Sequence, residues 1–283
     1  MTFWQSLLAL LDTQMETPPS FGWFHLMWVG ISFLALIPLL RFPKEQSQDH
    51  VRKVVLVTAI TVIILEIYKQ INYSFSYEDG IAFDYQWYAF PFQFCSTPMY
   101  VGLLAGLIKK GKLHDSLCAY LATYAIFAGT AVMIYPNDAL IGTIGINIQT
   151  MICHGSMITI GIYLFATGHV KLEHKTILKA MPVFAVTVSI AAVMNEIAYR
   201  VGLLETETFN MFFISPYCAP SLPVYSLVQP LVPYPVSVLI YIAGFTAAAG
   251  IILMLARLLH ISAPKSHRPL GAPKLRLVHT GHS

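Results

Sequence analysis

The fold class this sequence predicts is an all-α polytopic membrane protein, a seven-transmembrane-helix bundle. Three observations predict it. The 283-residue chain is 56% hydrophobic and 11% charged, too apolar for an ordinary soluble domain. Seven apolar stretches, near 21–40, 54–72, 88–108, 116–135, 146–167, 180–200 and 236–257, each approach the ~20 residues that a spanning helix needs. Finally, all of the 17 Lys and Arg residues except Lys69 and Arg200 fall in alternate connections or in the tail. Basic loops stay in the cytoplasm, so the amino terminus is expected outside and the carboxyl terminus inside.

The elements follow in order. Residues 1–20 carry no base and so lack the basic n-region of a signal peptide. Within them Phe3–Leu11 predicts a short helix on the outer surface. Arg41, Lys44, Arg52 and Lys53 follow the first span, and the connection near 73–87 has no base. Lys109, Lys110 and Lys112 follow the third span, Pro136–Asn137–Asp138 makes a bare turn, and Lys171, Lys175 and Lys179 follow the fifth span. The membrane domain thus covers 21–257. Trp4, Trp23, Trp28 and Trp87 collect near the outer interface as anchors. The connection 201–235 is rich in proline and apolar side chains, unlike a polar disordered linker, and predicts an ordered outer cap. The tail, 258–283, is basic and His- and Pro-rich and is expected to be cytoplasmic and disordered. The net charge of +3 is accounted for by topology, so nucleic acid is not an expected partner. Four cysteines, Cys95, Cys118, Cys153 and Cys218, are distributed unlike a disulfide scaffold.

Charges inside hydrocarbon are expensive and ask for a reason. Glu66 and Lys69 lie in the second span, Glu196 and Arg200 in the sixth. At ~1.5 Å per residue, Glu66 lies about 9 Å and Glu196 about 6 Å below the outer ends of their spans. Each acid has a base three or four positions on, so one reading is a local ion pair with a snorkelling base. Gln93, Cys95, Asn147, Gln149, His154 and His25 reach the same outer half from other spans, and Asn195 is level with Glu196. The inner halves of the spans hold hydroxyls but no amide, His or charge. This segregation by depth predicts one polar cavity in the outer half, lined by Glu66, Cys95, His154, Asn195 and Glu196.

Cys95 sits in PFQFCSTPMY, residues 91–100. Pro98 cannot donate a backbone hydrogen bond, which frees the carbonyl of Phe94. A thiol beside a broken helix with His154 at matching depth suggests a nucleophile and its base, set against the commoner buried cysteine that only packs. Cys153 points about 100° away from His154 on the helix and is not the expected partner. Gly102 and Gly106 predict close helix packing. A metal site from His25, His154, Glu66 and Glu196 lacks any HxxxH or HExxH spacing, so no metal and no cofactor is expected.

FGWFHL (21–26), PFQFCSTPMY (91–100), ICHGSMI (152–158), FNMFFISP (209–216) and QPLVPYP (229–235) together resemble the YwaF-like integral membrane family, which includes the transmembrane protein 164 acyltransferases. The resemblance covers roughly 20–257. It implies transfer of a fatty acyl chain between membrane lipids, with Cys95 as nucleophile and His154 as the family histidine. Combined with the residues above, the leading expectation is a thiol-dependent lipid acyltransferase or related hydrolase in the cell membrane, with phospholipid as acyl donor or acceptor. Glu66 or Glu196 would orient the imidazole. Gln93 or Asn195 would stabilise the oxyanion, and Asn147, Lys69, Arg200, Asn210 and His25 would complete the substrate-binding surface. A small-molecule or ion transporter, or a seven-helix ligand sensor, could use the same cavity. A retinal protein is disfavoured because the seventh span has no lysine.

Overall fold

The computed structural model describes residues 3–42, 46–77, 80–137, 139–219, 221–259 and 261. The basic tail, apart from its first residues and Ile261, lies outside the described residues, as do Lys44 and Asp138. Helix α1 covers Phe3–Leu11. The first span is α2 (Trp23–Leu34) running into α3 (Leu36–Arg41). Helix α4 covers Gln48–Asn72 and is capped by Ser47, whose hydroxyl accepts from the His50 amide. Helix α5 is Thr97–Leu107. Then α6 (Lys112–Tyr120), a π turn at Leu121–Ala125 and α7 (Ile126–Ile134) form one 23-residue apolar segment. Helices α8 (Ile144–Ala166) and α9 (His174–Arg200) follow. After the short α10 (Tyr225–Val228), α11 (Tyr234–Leu258) closes the described bundle.

Among the described residues, six helices are long and apolar enough to cross a membrane, rather than seven. The third predicted stretch, 88–108, is the exception. Its helix has 11 residues and reaches only about 16 Å, half of a hydrocarbon core. Residues before it form a turn at Trp87–Ala89 and irregular backbone. The physical reason is Pro98, which lies in the first turn of α5, where a missing N–H costs nothing, and which bars helix upstream. The Phe94 carbonyl accepts from the Thr97 hydroxyl at 2.9 Å. Ser96 and Thr97 are buried in protein, which is where non-helical backbone is tolerated at membrane depth.

Two segments form the centre. In α8 and in the α6–α7 segment, 72% of the apolar window is buried, against 17–28% in the other four spans. The central helices pass close to their neighbours. A Cβ on Gly155 would collide with the Ser32 hydroxyl of α2. Gly102 and Gly106 place α5 on α4 as their spacing predicts, and a Cβ on Gly106 would stand 2.7 Å from the Leu56 Cα. Backbone cannot swing aside as a side chain can. Gly106→Ala is therefore expected to cost about 1–3 kcal/mol of stability. Thermal unfolding of the purified protein in detergent reads the effect, and an unchanged midpoint would show that the two helices separate freely.

The connections gather at two ends. At the basic-poor end the Tyr68 hydroxyl donates to the Leu11 carbonyl at 2.7 Å, and Gln14 bridges to Thr143. A hairpin of Phe75–Ser76 and Ala82–Phe83 lies in the 73–86 connection. At the basic end Arg52 donates to the Gly106 carbonyl at 2.5 Å, Arg257 to the Leu172 carbonyl at 2.9 Å, and Lys179 pairs with Asp115 at 3.4 Å.

Candidate functional site

Cys95 is placed by the start of α5, two residues before its first helical residue. It is half-buried and free. Its side chain and that of Gln93 line an open cavity of about 590 Å³ whose other walls are apolar. Phe127 and Val132 of α7, Tyr241 and Phe245 of α11, and Leu222 and Tyr225 contribute to those walls. Phe94 forms the aromatic floor, its ring centroid 5.1 Å from Phe245, 5.3 Å from Phe184 and 5.8 Å from Phe212. A cavity of this volume, apolar with one or two polar groups, is the kind that takes a mostly hydrophobic ligand.

The segment 209–215 runs beside the cavity and is held by three amide side chains. Gln93 accepts from the Phe212 amide at 2.9 Å and donates to the Asn210 carbonyl at 3.0 Å. Asn195, fully buried on α9, accepts from the Met211 amide at 2.7 Å and donates to the Met211 carbonyl at 3.0 Å. Asn210 accepts from the Ser215 amide at 2.9 Å. Phe212 and Phe213 have φ of 57° and 55°, a left-handed conformation costly for bulky side chains. The paired amides fix that conformation. The hydrogen bonds that Gln93 and Asn195 make among the described residues thus go to backbone.

The acids are distributed differently from the single cavity expected. Glu66 is buried on α4 and pairs with Lys69 at 2.8 Å. It also accepts from Gln70 at 2.8 Å and from Gln149 of α8 at 3.1 Å. Gln70 continues the network to the Ala89 carbonyl and the Tyr85 hydroxyl. Glu66 and Gln70 line a separate opening with Tyr100 and Leu103. Glu196 and Arg200 lie in a third hollow with Pro216 and Tyr234. Arg200 donates to Glu196 at 2.6 Å with side chains 75% and 39% exposed, so the pair faces outward. Tyr217 donates to Glu196 at 2.5 Å, and that bond raises the pKa of the phenol above its usual value. The local ion-pair reading thus describes both acid–base pairs.

On α8 the thiol of Cys153 lies 3.8 Å from the Cys95 carbonyl, so Cys153 is the residue that meets the Cys95 segment. His154 is one residue on, about 100° around the helix, and does not line the Cys95 cavity. Its Nδ1 lies 2.7 Å from the Thr150 carbonyl, which fixes the proton on Nδ1 and leaves a lone pair on Nε2. Among the described residues, that buried Nε2 has no hydrogen-bond partner. His25 is also buried, its Nδ1 accepting from the Phe21 amide at 3.2 Å. Asn147 binds both polar groups of Ile141 across the turn before α8, at 2.7 and 2.8 Å. His25, His154, Glu66 and Glu196 do not assemble into a metal-holding cluster among the described residues. Sequence reasoning missed the α7 and α11 walls, because a cavity between apolar helices leaves no polar mark.

Among comparisons with known proteins, no curated protein and no solved structure matches the chain. The TMEM164 family matches residues 20–256, nearly the whole described bundle and every candidate residue above. The apolar helices and that match make this a multi-pass membrane protein, and the chain belongs to the TMEM164 family.

Proposed function

We propose that this protein is a thiol-dependent lipid acyltransferase of the cell membrane that works in the outer half of the bilayer. The observation that carries the reading is the free Cys95 thiol opening into an apolar cavity of about 590 Å³. The family and the charge alternation that orients the chain support it. The acyl chain of a phospholipid lies along Phe127, Tyr241 and Phe245, and its ester sits at Cys95. The sulfur bonds to the acyl carbon and the ester C–O bond breaks. The thiol proton passes to the departing lysolipid oxygen as the C–O bond breaks, since His154 lies outside the cavity wall. A second lipid hydroxyl attacks the thioester and the same proton path runs in reverse; with water as acceptor the product is a fatty acid. The segment 201–235 caps the cavity, and the Glu66 network ties α4 to α8 and to the 85–89 turn beside a separate opening. Phospholipid serves as acyl donor or acceptor.

The test is covalent trapping. Purified protein incubated with phospholipid should gain one acyl mass on the peptide containing Cys95, released by hydroxylamine as a thioester is. Acylation confined to other cysteines would end this reading. Rapid proteolysis throughout 201–235 with turnover retained would remove the cap from it.

A further inference from the structure

The side chains of His114, Cys118 and His169 converge at the basic end, far along α5 and α6 from Cys95. We propose that they form a zinc site that ties the start of α6 to the α8–α9 turn. His114 and Cys118 are one turn apart on α6 and share a face. Both are buried. His169 comes from the turn between α8 and α9 and is half-buried, which leaves the cluster open to that end of the bundle. The three donor atoms all lie within 4.8 Å of one another.

The geometry is close to that of a filled site. Zinc with bonds of ~2.0–2.1 Å to nitrogen and ~2.3 Å to sulfur sets tetrahedral ligands about 3.4 Å (N to N) and about 3.6 Å (N to S) apart. Cys118 Sγ stands 3.6 Å from His114 Nε2. His114 Nε2 stands 2.9 Å from His169 Nε2, so the imidazoles need to part by about half an ångström to admit the ion. The His169 ring can do this, because it lies on a turn and meets His114 edge to face rather than stacked.

The surroundings orient the ligands. His114 Nδ1 lies 3.1 Å from the Ala105 carbonyl, one of the carbonyls left over at the end of α5. Donation to that carbonyl puts the proton on Nδ1 and the lone pair on Nε2, which faces the other two ligands. A ligand imidazole held by a carbonyl in this way is the usual support of a zinc histidine. In the metal-free protein His169 donates its Nε2 proton to His114. On binding, that proton shifts to His169 Nδ1, Cys118 releases its thiol proton to solvent, and zinc takes the enclosed position. Two imidazoles and a thiolate favour a borderline ion over magnesium or calcium. Water entering past His169 completes the fourth position. Asp115 is exposed and paired with Lys179, so it is not a ligand.

The experiment uses the full chain in detergent, stripped with chelator and titrated with cobalt(II) and then zinc. Wild type should bind one cobalt with tetrahedral visible absorption and a thiolate-to-metal charge-transfer band, both lost as zinc displaces it. Cys118→Ser should lose the charge-transfer band. His169→Ala, on a turn where folding is least at risk, should weaken zinc binding about tenfold or more and remove the zinc-dependent rise in thermal midpoint. Cys218→Ser should behave as wild type. No cobalt absorption in folded wild type, or a charge-transfer band that survives in Cys118→Ser, overturns the site and leaves a hydrogen-bonded histidine pair beside a packed thiol.

Discussion

Cys95→Ser is expected to keep the fold and lose lipid acyl transfer by about 10³-fold or more, because a hydroxyl is a far weaker nucleophile than a thiolate. The fold should tolerate it because Cys95 is half-buried against an open cavity and its side chain is nearly isosteric with serine. Lipid profiles of cells expressing equal amounts of wild type and variant read the result. Cys218→Ser should match the wild type, since among the described residues its thiol donates to the Phe209 carbonyl at 3.5 Å, away from Cys95. His154→Ala tests the base read from the sequence: a loss of roughly 10²–10⁴-fold, the usual worth of a general base, would bring it into the proton path from outside the cavity wall. The two variants separate two claims. Loss in both supports the thiol with its base. Loss in Cys95→Ser alone keeps the thioester and leaves His154 out of the proton path. If Cys95→Ser reshapes acyl composition as the wild type does, the covalent mechanism is wrong. If wild type changes no lipid, the transporter and sensor readings become the better ones.

Depth was legible in the sequence; azimuth was not. A fixed rise per residue and the alternation of Lys and Arg place Glu66, Cys95, His154 and Glu196 toward one end of the bundle. Which way each points around its helix depends on the packing partner. In a soluble helix the apolar stripe announces the buried face. Here lipid and protein are both apolar, so α9 carries Asn195 inward to Met211 and Glu196 outward to Tyr217 with no warning in the pattern. The same ambiguity gave His154, rather than Cys153, as the neighbour expected for Cys95. Pro98 was legible as a break, yet it stands at a helix start rather than in mid-span, because the stretch above it never becomes helical. The pair His114 and Cys118 is an HxxxC spacing visible in the sequence, but its third member, His169, lies 55 residues away and only the fold brings it in.

Asn195→Leu should be the most damaging change outside the thiol. The side chain is fully buried and serves one backbone residue twice, accepting from the Met211 amide and donating to its carbonyl. Leucine fills nearly the same volume, so the loss is of hydrogen bonds rather than packing. The buried Met211 amide then loses its partner, at about 1–3 kcal/mol, and the Met211 carbonyl keeps only the longer bond from the Ile214 amide at 3.4 Å. The cost falls on the segment that also holds Phe212 and Phe213 in left-handed backbone, a conformation that persists only while its surroundings over-determine it. Local release should therefore precede global unfolding. Hydrogen exchange should rise first in 209–215, while α8 stays protected. Gln93→Leu should produce the same local pattern, since Gln93 binds the neighbouring Phe212 amide and Asn210 carbonyl. If the segment caps the acyl cavity, both variants should also leak product to water, raising free fatty acid at the expense of transfer. Unchanged exchange in 209–215 in both variants would show that these amides do not hold the segment.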